Sequence, residues 1–361
     1  MSFDVTALFH QLEGRDVPSA ISAQTVSFAQ GDAFFQLAAA KNARAIRLRQ
    51  VFAEKGFSRV LLSANIDGFD CQIPGCTVGF LEKGFFADSD ENLRANKRAF
   101  LDGAIVIVNN NDAGQHVPGY ADFYAQCTNT IFVAWDWDNH HWLELSTFLA
   151  AHSDIYAPAH HENLYLLTRY NWLTSGPVYC STVQWSRKLL TDSLPFLIST
   201  PRSNAPLGKH IPYAPFTFRN QVVSTLGQIY PSIGFSDRTF HQRTAMEKLE
   251  EWAAHKIHWI SPVLNDVAIR IFDALCSGGI PLVPESMRFL PPIRDIDRDF
   301  VLFYTPHDII DPRGLVDRAI QVFDRGGADQ IVARHRYALE NHHGDCSMRA
   351  LHNMVVEKYS L

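Results

Sequence analysis

The stretch that most constrains the fold is Ser261–Glu285, in which a helix, a tight turn and a strand follow one another closely. Apolar residues recur at helical spacing over Val267–Cys276, which predicts a short helix with one buried face. Gly278 and Gly279 follow, and glycine readily adopts the left-handed backbone that often ends a helix. The apolar run Ile280–Val283 then predicts a strand buried on both faces. A helix that leads into such a strand indicates a parallel α/β sheet.

The rest of the chain repeats this alternation of strands and helices, with four prolines in residues 201–215 as the clearest boundary. Two α/β domains with parallel sheets are therefore expected, over residues 58–200 and 201–361, behind a helical leader over residues 1–57. The predicted strands are Arg59–Ile66, Ala104–Val108, Thr130–Trp137, Asp154–Ala157, Ile233–Phe235, His255–Ile260 and Phe300–Tyr304.

The composition excludes several classes of protein. The chain has 361 residues and a formal net charge of −6, which argues against nonspecific nucleic-acid binding. It contains no run of eighteen apolar residues, so no transmembrane segment is predicted, and no secretory signal is visible. We therefore expect a cytoplasmic protein, and a peripheral position at the inner face of a membrane remains compatible with the sequence.

The order of polar residues in the opening stretch is more specific than its secondary structure. Asn265, Asp266, Arg270 and Asp273 form an N-D-x-x-x-R-x-F-D-A run, which is followed by G-G-I-P-L. This run resembles the donor-binding segment of GT-B glycosyltransferases, and in particular the spore-maturation glycosyltransferase-like type. An ordinary helix–strand unit of any α/β protein is the alternative interpretation.

The resemblance implies two Rossmann-like domains that face a cleft, with a nucleotide sugar bound by the C-terminal domain. The acceptor would be a glycan, a lipid-linked molecule or a protein, as in polysaccharide biosynthesis, and no metal or other cofactor is expected. A carboxylate would contact the donor ribose, and a helix N-terminus would face its phosphates. The donor-binding residues assigned on this basis are Arg219, Asn220, Lys256, Asn265, Asp266, Arg270, Asp273, Gly278 and Gly279.

Two of these assignments leave alternatives open. Retaining enzymes more often have glutamates where this chain has Asn265 and Asp273, so retention and inversion of the anomeric centre both stay possible. Arg219 pairs well with phosphate oxygens if it lies at the donor, and is otherwise a surface arginine.

Polar residues cluster where the predicted strand Thr130–Trp137 meets the next helix, in the sequence D-W-D-N-H-H-W. We assign the acceptor base to Asp138, with His140 as the alternate. Asp138 could instead only cap the helix at Leu143, and a metal site is a weaker third interpretation because adjacent histidines rarely bind one ion. Rival functions are a nonenzymatic nucleotide- or sugar-binding protein of the same fold, or a nucleotide-sugar epimerase of GT-B shape.

Overall fold

A computed structural model of the chain describes residues 31–66, 72–87, 90–161, 174–182, 184–236, 242–264 and 266–360. These residues form an α/β protein with parallel sheets, and they group into two compact units. We call residues 31–180 together with residues 344–360 the N-terminal unit, and Ser181–His343 the C-terminal unit.

The N-terminal unit alternates short parallel strands with helices. Its strands are β1 (Arg59–Leu62), β2 (Thr77–Phe80), β3 (Ile105–Asn109), β4 (Ile131–Asp136) and β5 (Ile155–Pro158). Its helices are α1 (Gly31–Lys55), α2 (Glu91–Leu101), α3 (Asn110–Gly114), α4 (Val117–Gln126), α5 (Leu143–Ala151) and, from the end of the chain, α13 (Gly344–Tyr359). A 3-10 turn, Ala64–Ile66, follows β1.

The five strands of this unit form one parallel sheet in the order β2-β1-β3-β4-β5. Every residue of β3, β4 and β5 is buried, because helices cover both faces of a parallel sheet. Val106, Phe132 and Tyr156 of these strands pack with Tyr120 and Phe123 of α4 in the main core.

The C-terminal unit has the same kind of alternation. Its strands are β6 (Gly208–His210), β7 (Ile233–Phe235), β8 (Ile257–Trp259), β9 (Ile280–Pro284) and β10 (Leu302–Tyr304). Its helices are α6 (Arg187–Asp192), α7 (Leu194–Ser199), α8 (Thr217–Ile229), α9 (Ala245–Ala253), α10 (Ile269–Cys276), α11 (Pro306–Ile310) and α12 (Arg313–Asn341), which is interrupted at Gly327. Two 3-10 turns, Glu285–Met287 and Ile293–Asp295, lie between β9 and β10.

The strands of the C-terminal unit form two parallel sheets, one of three strands and one of two, which an isolated bridge joins side by side. β8, β9 and β10 pair in sequence, and β6 pairs with β7. Leu207, the residue before β6, bridges to His258 in β8, so the order is β7-β6-β8-β9-β10. Counted within its own unit, each set of five strands therefore has the order 2-1-3-4-5. Trp259 and Leu282 form a core with Val223 of α8 and Val316 of α12.

The unit boundary differs from the predicted boundary near residue 200. The described residues from Ser181 onward belong to the C-terminal unit, and α13 belongs to the N-terminal unit. The prolines of residues 201–215 lie in loops on both sides of β6, the first strand of the C-terminal sheet, so a proline-rich segment here marks strand ends rather than a linker. Of the predicted leader, residues 1–30 lie outside the described residues, and α1 packs on the N-terminal unit through Arg44 and Asp154.

Among the described helices, none is both long and apolar enough to cross a membrane.

Candidate functional site

The strand order of the C-terminal sheet defines where a ligand is expected. In an open parallel sheet, ligands bind outside the carboxyl ends of the strands, where neighbouring strands continue to opposite sides. In this unit the position lies between β6 and β8, because β6 leads to β7 on one side and β8 leads to β9 on the other. The loop after β6 and the described loop residues after β8, 260–264 and 266–268, form this edge.

Arg219 holds these two loops together from the first turn of α8. Its Nε donates to the carbonyl of Ser261 at 2.9 Å, and its Nη1 donates to the carbonyl of Ile211 at 2.9 Å. The third nitrogen, Nη2, has no hydrogen-bond partner in the part of the chain that the structure describes. Burial and the nearby charge of Arg270 lower the pKa of Arg219 to about 10.

Arg270 occupies the first turn of α10 and points its charge at the same edge. It is partly exposed, and it makes no hydrogen bond or ion pair with any described residue. Burial lowers its pKa, and the carboxylates of Asp273 and Asp266 offset part of that effect. Both guanidiniums also help to lower the pKa of His210, the buried last residue of β6, after the larger effect of burial. Two cations in a partly desolvated position favour an anionic ligand.

The backbone of the β8–α10 loop adds to this preference for an anion. α10 begins after Ala268, which supplies no side-chain cap, so no capping side chain occupies the positive end of the helix dipole. Asp266 shapes the loop, because its Oδ1 accepts a hydrogen bond of 2.6 Å from the backbone of Val263. Leu264 has a φ of +50°, the only positive value at a described residue other than glycine. Backbone strain of this kind is concentrated at functional sites.

Aromatic side chains border the two arginines. Tyr213, in the loop after β6, is 40% exposed, and Phe218 of α8 is 48% exposed. The guanidinium of Arg219 lies 5.8 Å from the ring centre of Tyr213. Exposed rings beside a phosphate-binding position are suitable partners for a nucleobase.

The structure brings only part of the predicted donor set to this edge. Arg219, Asp266 and Arg270 lie there, and Asn220 is adjacent, where its Nδ2 donates to the carbonyl of Tyr213 at 2.7 Å. Asn265 lies outside the described residues.

Lys256 and the glycine pair lie at the opposite, amino edge of the sheet. Lys256 immediately precedes β8 and forms an ion pair with Asp324 at 2.7 Å. Gly278 has a φ of +79°, and a Cβ on Gly279 would lie 2.4 Å from Nε2 of His258. These glycines allow α10 to turn tightly into β9, so the structure gives them a packing role away from the arginines.

Asp273 lies further along α10 and is completely buried. Thr182 Oγ1 donates to its Oδ1 and Gln184 Nε2 donates to its Oδ2, both at 2.5 Å. Burial raises the pKa of Asp273 to about 6, and the two hydrogen bonds oppose this rise. Both carboxylate oxygens thus have internal partners, and the carboxylate fixes Thr182 and Gln184 to α10 instead of facing a ribose.

The candidate base Asp138 lies at the carboxyl end of β4 in the N-terminal unit. Its Oδ2 accepts hydrogen bonds from Asn110 Nδ2 at 2.7 Å and Asn111 Nδ2 at 3.4 Å, and about a quarter of its side chain is exposed. Asp138 does not cap α5 through its side chain, because α5 begins after Trp142 without a side-chain cap. The side chain of Asp138 instead joins the loop to α3 through the two asparagine amides.

The alternate base His140 is in a group of three histidines. Its Nε2 lies 2.9 Å from Nδ1 of His141, and its ring centre lies 4.4 Å from that of His160. Burial lowers the pKa of His160 to about 4, so that ring is neutral at physiological pH. Asn139 and His160 fix the loop by two hydrogen bonds of 2.8 and 2.9 Å between side chain and backbone.

A pocket of about 520 Å³ opens beside this loop. It is lined by residues of α3 and by the start of α5, including Asn111, Gln115, His141, Trp142 and Glu144. Trp142 is 45% exposed. Amides, a carboxylate and an exposed indole can bind hydroxyl groups and the apolar face of a sugar ring.

Some residues of the two edges carry no recognisable sequence signal. His210 and Tyr213 lie in the proline-rich segment, and only the pairing of β6 brings them next to Arg219. Asp136 is the first residue of the D-W-D-N-H-H-W cluster, but its sequence position does not show that the structure buries it against Tyr156, whose hydroxyl donates to Oδ2 at 2.6 Å. Burial raises the pKa of Asp136 to about 6.

The chain matches no protein-family model, and no curated protein matches it.

Proposed function

We propose that the chain is a glycosyltransferase of the GT-B type that binds a nucleotide sugar at the carboxyl edge of the C-terminal sheet. The observation that carries the proposal is the convergence of Arg219 and Arg270 at the strand-order reversal between β6 and β8. Neither guanidinium uses all of its N–H donors on the described residues, so both can still donate hydrogen bonds to a ligand. The N-D-x-x-x-R-x-F-D-A resemblance supports the same assignment, since Asp266 and Arg270 belong to it.

In this proposal, Arg219, Arg270 and the start of α10 serve to stabilise the phosphate of the leaving nucleotide. During transfer, the bond between the anomeric carbon and the phosphate oxygen breaks, and negative charge accumulates on the departing nucleotide. Arg270 and the N-terminus of α10 would stabilise that charge, while Arg219 would hold the two phosphate-binding loops in register. Arginine can replace a metal ion in this role because it is charged at all physiological pH values.

The N-terminal unit would supply the acceptor side in this proposal. Asp138 would accept the proton of the attacking hydroxyl, with His140 as the alternate, and the 520 Å³ pocket beside them would hold the acceptor. The two-domain GT-B arrangement belongs to the proposal as well, with the donor on one unit and the acceptor on the other.

The experiment is a donor screen followed by a turnover measurement. Thermal-shift analysis uses nucleoside diphosphates and their sugar derivatives. Nucleotides with one particular base are expected to raise the melting temperature of the protein, because a ligand that binds only the folded state stabilises it. Slow hydrolysis of the selected nucleotide sugar is then expected, since many transferases pass the sugar to water when no acceptor is present. A panel with no stabilising nucleotide would contradict the proposal.

A nonenzymatic nucleotide-binding protein is the second candidate, and one observation favours it. Two asparagine amides donate to Oδ2 of Asp138, and this arrangement also suits a purely structural loop. Nucleotide binding without any hydrolysis or transfer, unchanged in an Asp138→Asn variant, would select this candidate.

A further inference from the structure

A second pocket, of about 480 Å³, lies at the amino edge of the N-terminal sheet. One face of α1 lines it, with residues at helical spacing that include Ala38, Lys41, Ala45 and Arg49. Alanines on that face leave a space that larger apolar side chains would fill in a closely packed core. The opposite wall contains the rings of Tyr124 and Tyr359.

The Arg44–Asp154 ion pair beside the pocket already satisfies both of its charges within the protein. Arg44 donates to both carboxylate oxygens of Asp154, at 2.6 and 3.1 Å, and to the carbonyls of Tyr124, Cys127 and Thr130. The backbone of Phe132 also donates to Asp154, at 2.8 Å. This cluster anchors α1 to the sheet and leaves no charge of its own for a ligand.

Two other cations of the pocket have no carboxylate partner. Lys41 Nζ donates to the carbonyl of Ser153 at 2.6 Å and lies 3.5 Å from the hydroxyl of Tyr124. Arg49 Nε donates to the carbonyl of Lys358 at 3.3 Å. No carboxylate of the described residues lies within ion-pair distance of either cation. Burial lowers the pKa of Lys41 to about 8, so its ammonium is mostly charged at pH 7 and poorly hydrated.

Tyr359 provides an independent sign that the pocket is built for a ligand. This last helical residue of α13 is 1% exposed, yet its hydroxyl has no hydrogen-bond partner among the residues that the structure describes. An unpartnered hydroxyl in the interior is unfavourable, and native structures seldom keep one without a reason. Tyr359 lines the pocket, together with the ammonium of Lys41.

We propose that this pocket binds a small organic anion with a flat apolar body. The anionic group would accept hydrogen bonds from Lys41 and Tyr359, and the body would lie against the alanine face of α1. The pocket borders the turn before β5, at the edge of the sheet opposite the Asp138 loop, so the ligand is an effector or a stabilising partner rather than a substrate. The inference does not rest on the proposed transferase activity.

The test uses the full chain and four probes in isothermal titration: benzoate, phenyl phosphate, benzamide and inorganic phosphate. Benzoate or phenyl phosphate is expected to bind at least tenfold more tightly than benzamide, which lacks the charge, and than inorganic phosphate, which lacks the ring. Equal binding of benzoate and benzamide would overturn the anionic character, and no binding of any probe would overturn the site.

Three variants locate the binding. Tyr359→Phe removes only an unpartnered hydroxyl, so it is expected to fold with an unchanged or higher melting temperature and to bind the selected probe about tenfold more weakly. Lys41→Met is expected to lose more than tenfold. Arg47→Gln is the matched control, because Arg47 lies on the same helix but donates to Asn129, and it is expected to bind normally. Normal affinity in Tyr359→Phe and Lys41→Met would overturn the assignment.

Discussion

Replacing Asp273 by asparagine is expected to stabilise the protein near neutral pH. The carboxylate is fully buried, and it accepts hydrogen bonds from Thr182 and Gln184. Asparagine has almost the same shape without the charge. Gln184 Oε1 has no hydrogen-bond partner among the described residues, so a rotated Gln184 amide could accept the hydrogen bond that the new side-chain amide offers.

The size of the effect follows from the pKa. Burial raises the pKa of Asp273 to about 6, whereas an aspartate in an unfolded chain titrates near ~3.9. The folded state therefore holds its proton more tightly, and the stability that this group contributes is complete below about pH 4. It is lost as the pH rises through about 6, and the loss amounts to about 3 kcal/mol at pH 7. The asparagine variant also lacks the charge-assisted hydrogen bonds, so we expect a net gain of about 1–3 kcal/mol at pH 7.5.

Urea unfolding at pH 5 and pH 7.5 measures this gain. The asparagine variant should exceed the wild type at pH 7.5, and the difference should shrink at pH 5. Asp136, whose pKa is also raised to about 6 by burial, is common to both proteins and cancels in the comparison. Asp273→Ala, which leaves two buried donors without an acceptor, should lose about 2–4 kcal/mol. A stability difference between asparagine variant and wild type that does not change with pH would refute the reasoning.

Three further predictions concern packing, the N-terminal unit and the candidate base. Gly279→Ala is expected to destabilise the protein by about 1–3 kcal/mol because its Cβ would meet His258, while the folded fraction keeps its nucleotide affinity; a loss of affinity in folded protein would return Gly279 to the site. Arg44→Met should cost about 3–5 kcal/mol in denaturant unfolding, since it leaves Asp154 buried and unpaired, and a cost below 1 kcal/mol would contradict this. Asp138→Asn should abolish sugar transfer with little change in melting temperature, and near-normal transfer would remove Asp138 as the base.

Much of the fold was predictable because strong apolar runs decide it. β4 and β9 were predicted within a residue or two of their observed ends, and both lie in the buried centre of a parallel sheet. Ile233–Phe235 was predicted with its observed bounds. The segments of β4 and β9 favour strands because a strand at the centre of a parallel sheet is buried on both faces, which suits a short continuous apolar run.

Other strands were not predictable from local pattern. β6 consists of Gly208–His210, a glycine, a lysine and a histidine in a proline-rich stretch, and it becomes a strand only through its pairing with β7 and the bridge at Leu207. β2, Thr77–Phe80, is a half-exposed edge strand. Tertiary pairing outweighs intrinsic preference in both cases.

The candidate site was predictable only in part, for a related reason. Arg219 and Arg270 could be selected as cations near a helix start, and the structure brings both to one edge. The glycine pair was selected from a linear motif that extends over the whole helix, and the length of α10 carries the ends of that motif to opposite edges of the sheet. Lys256 lies outside that motif and immediately before β8, so it is also at the amino edge. A sequence motif does not show which edge of a sheet each of its residues reaches.

The most direct test of the donor site is isothermal titration of nucleoside diphosphates with three proteins: the wild type, Arg270→Gln and Lys256→Gln. Arg270 makes no hydrogen bond or ion pair with a described residue, so its replacement should leave the fold intact. The account predicts that the diphosphate bound best by the wild type binds Arg270→Gln about 10- to 100-fold more weakly, because a charge-assisted contact to phosphate is lost. Lys256→Gln, at the opposite edge of the sheet, should bind it normally. Equal affinity in all three proteins, or a loss confined to Lys256→Gln, would contradict the account.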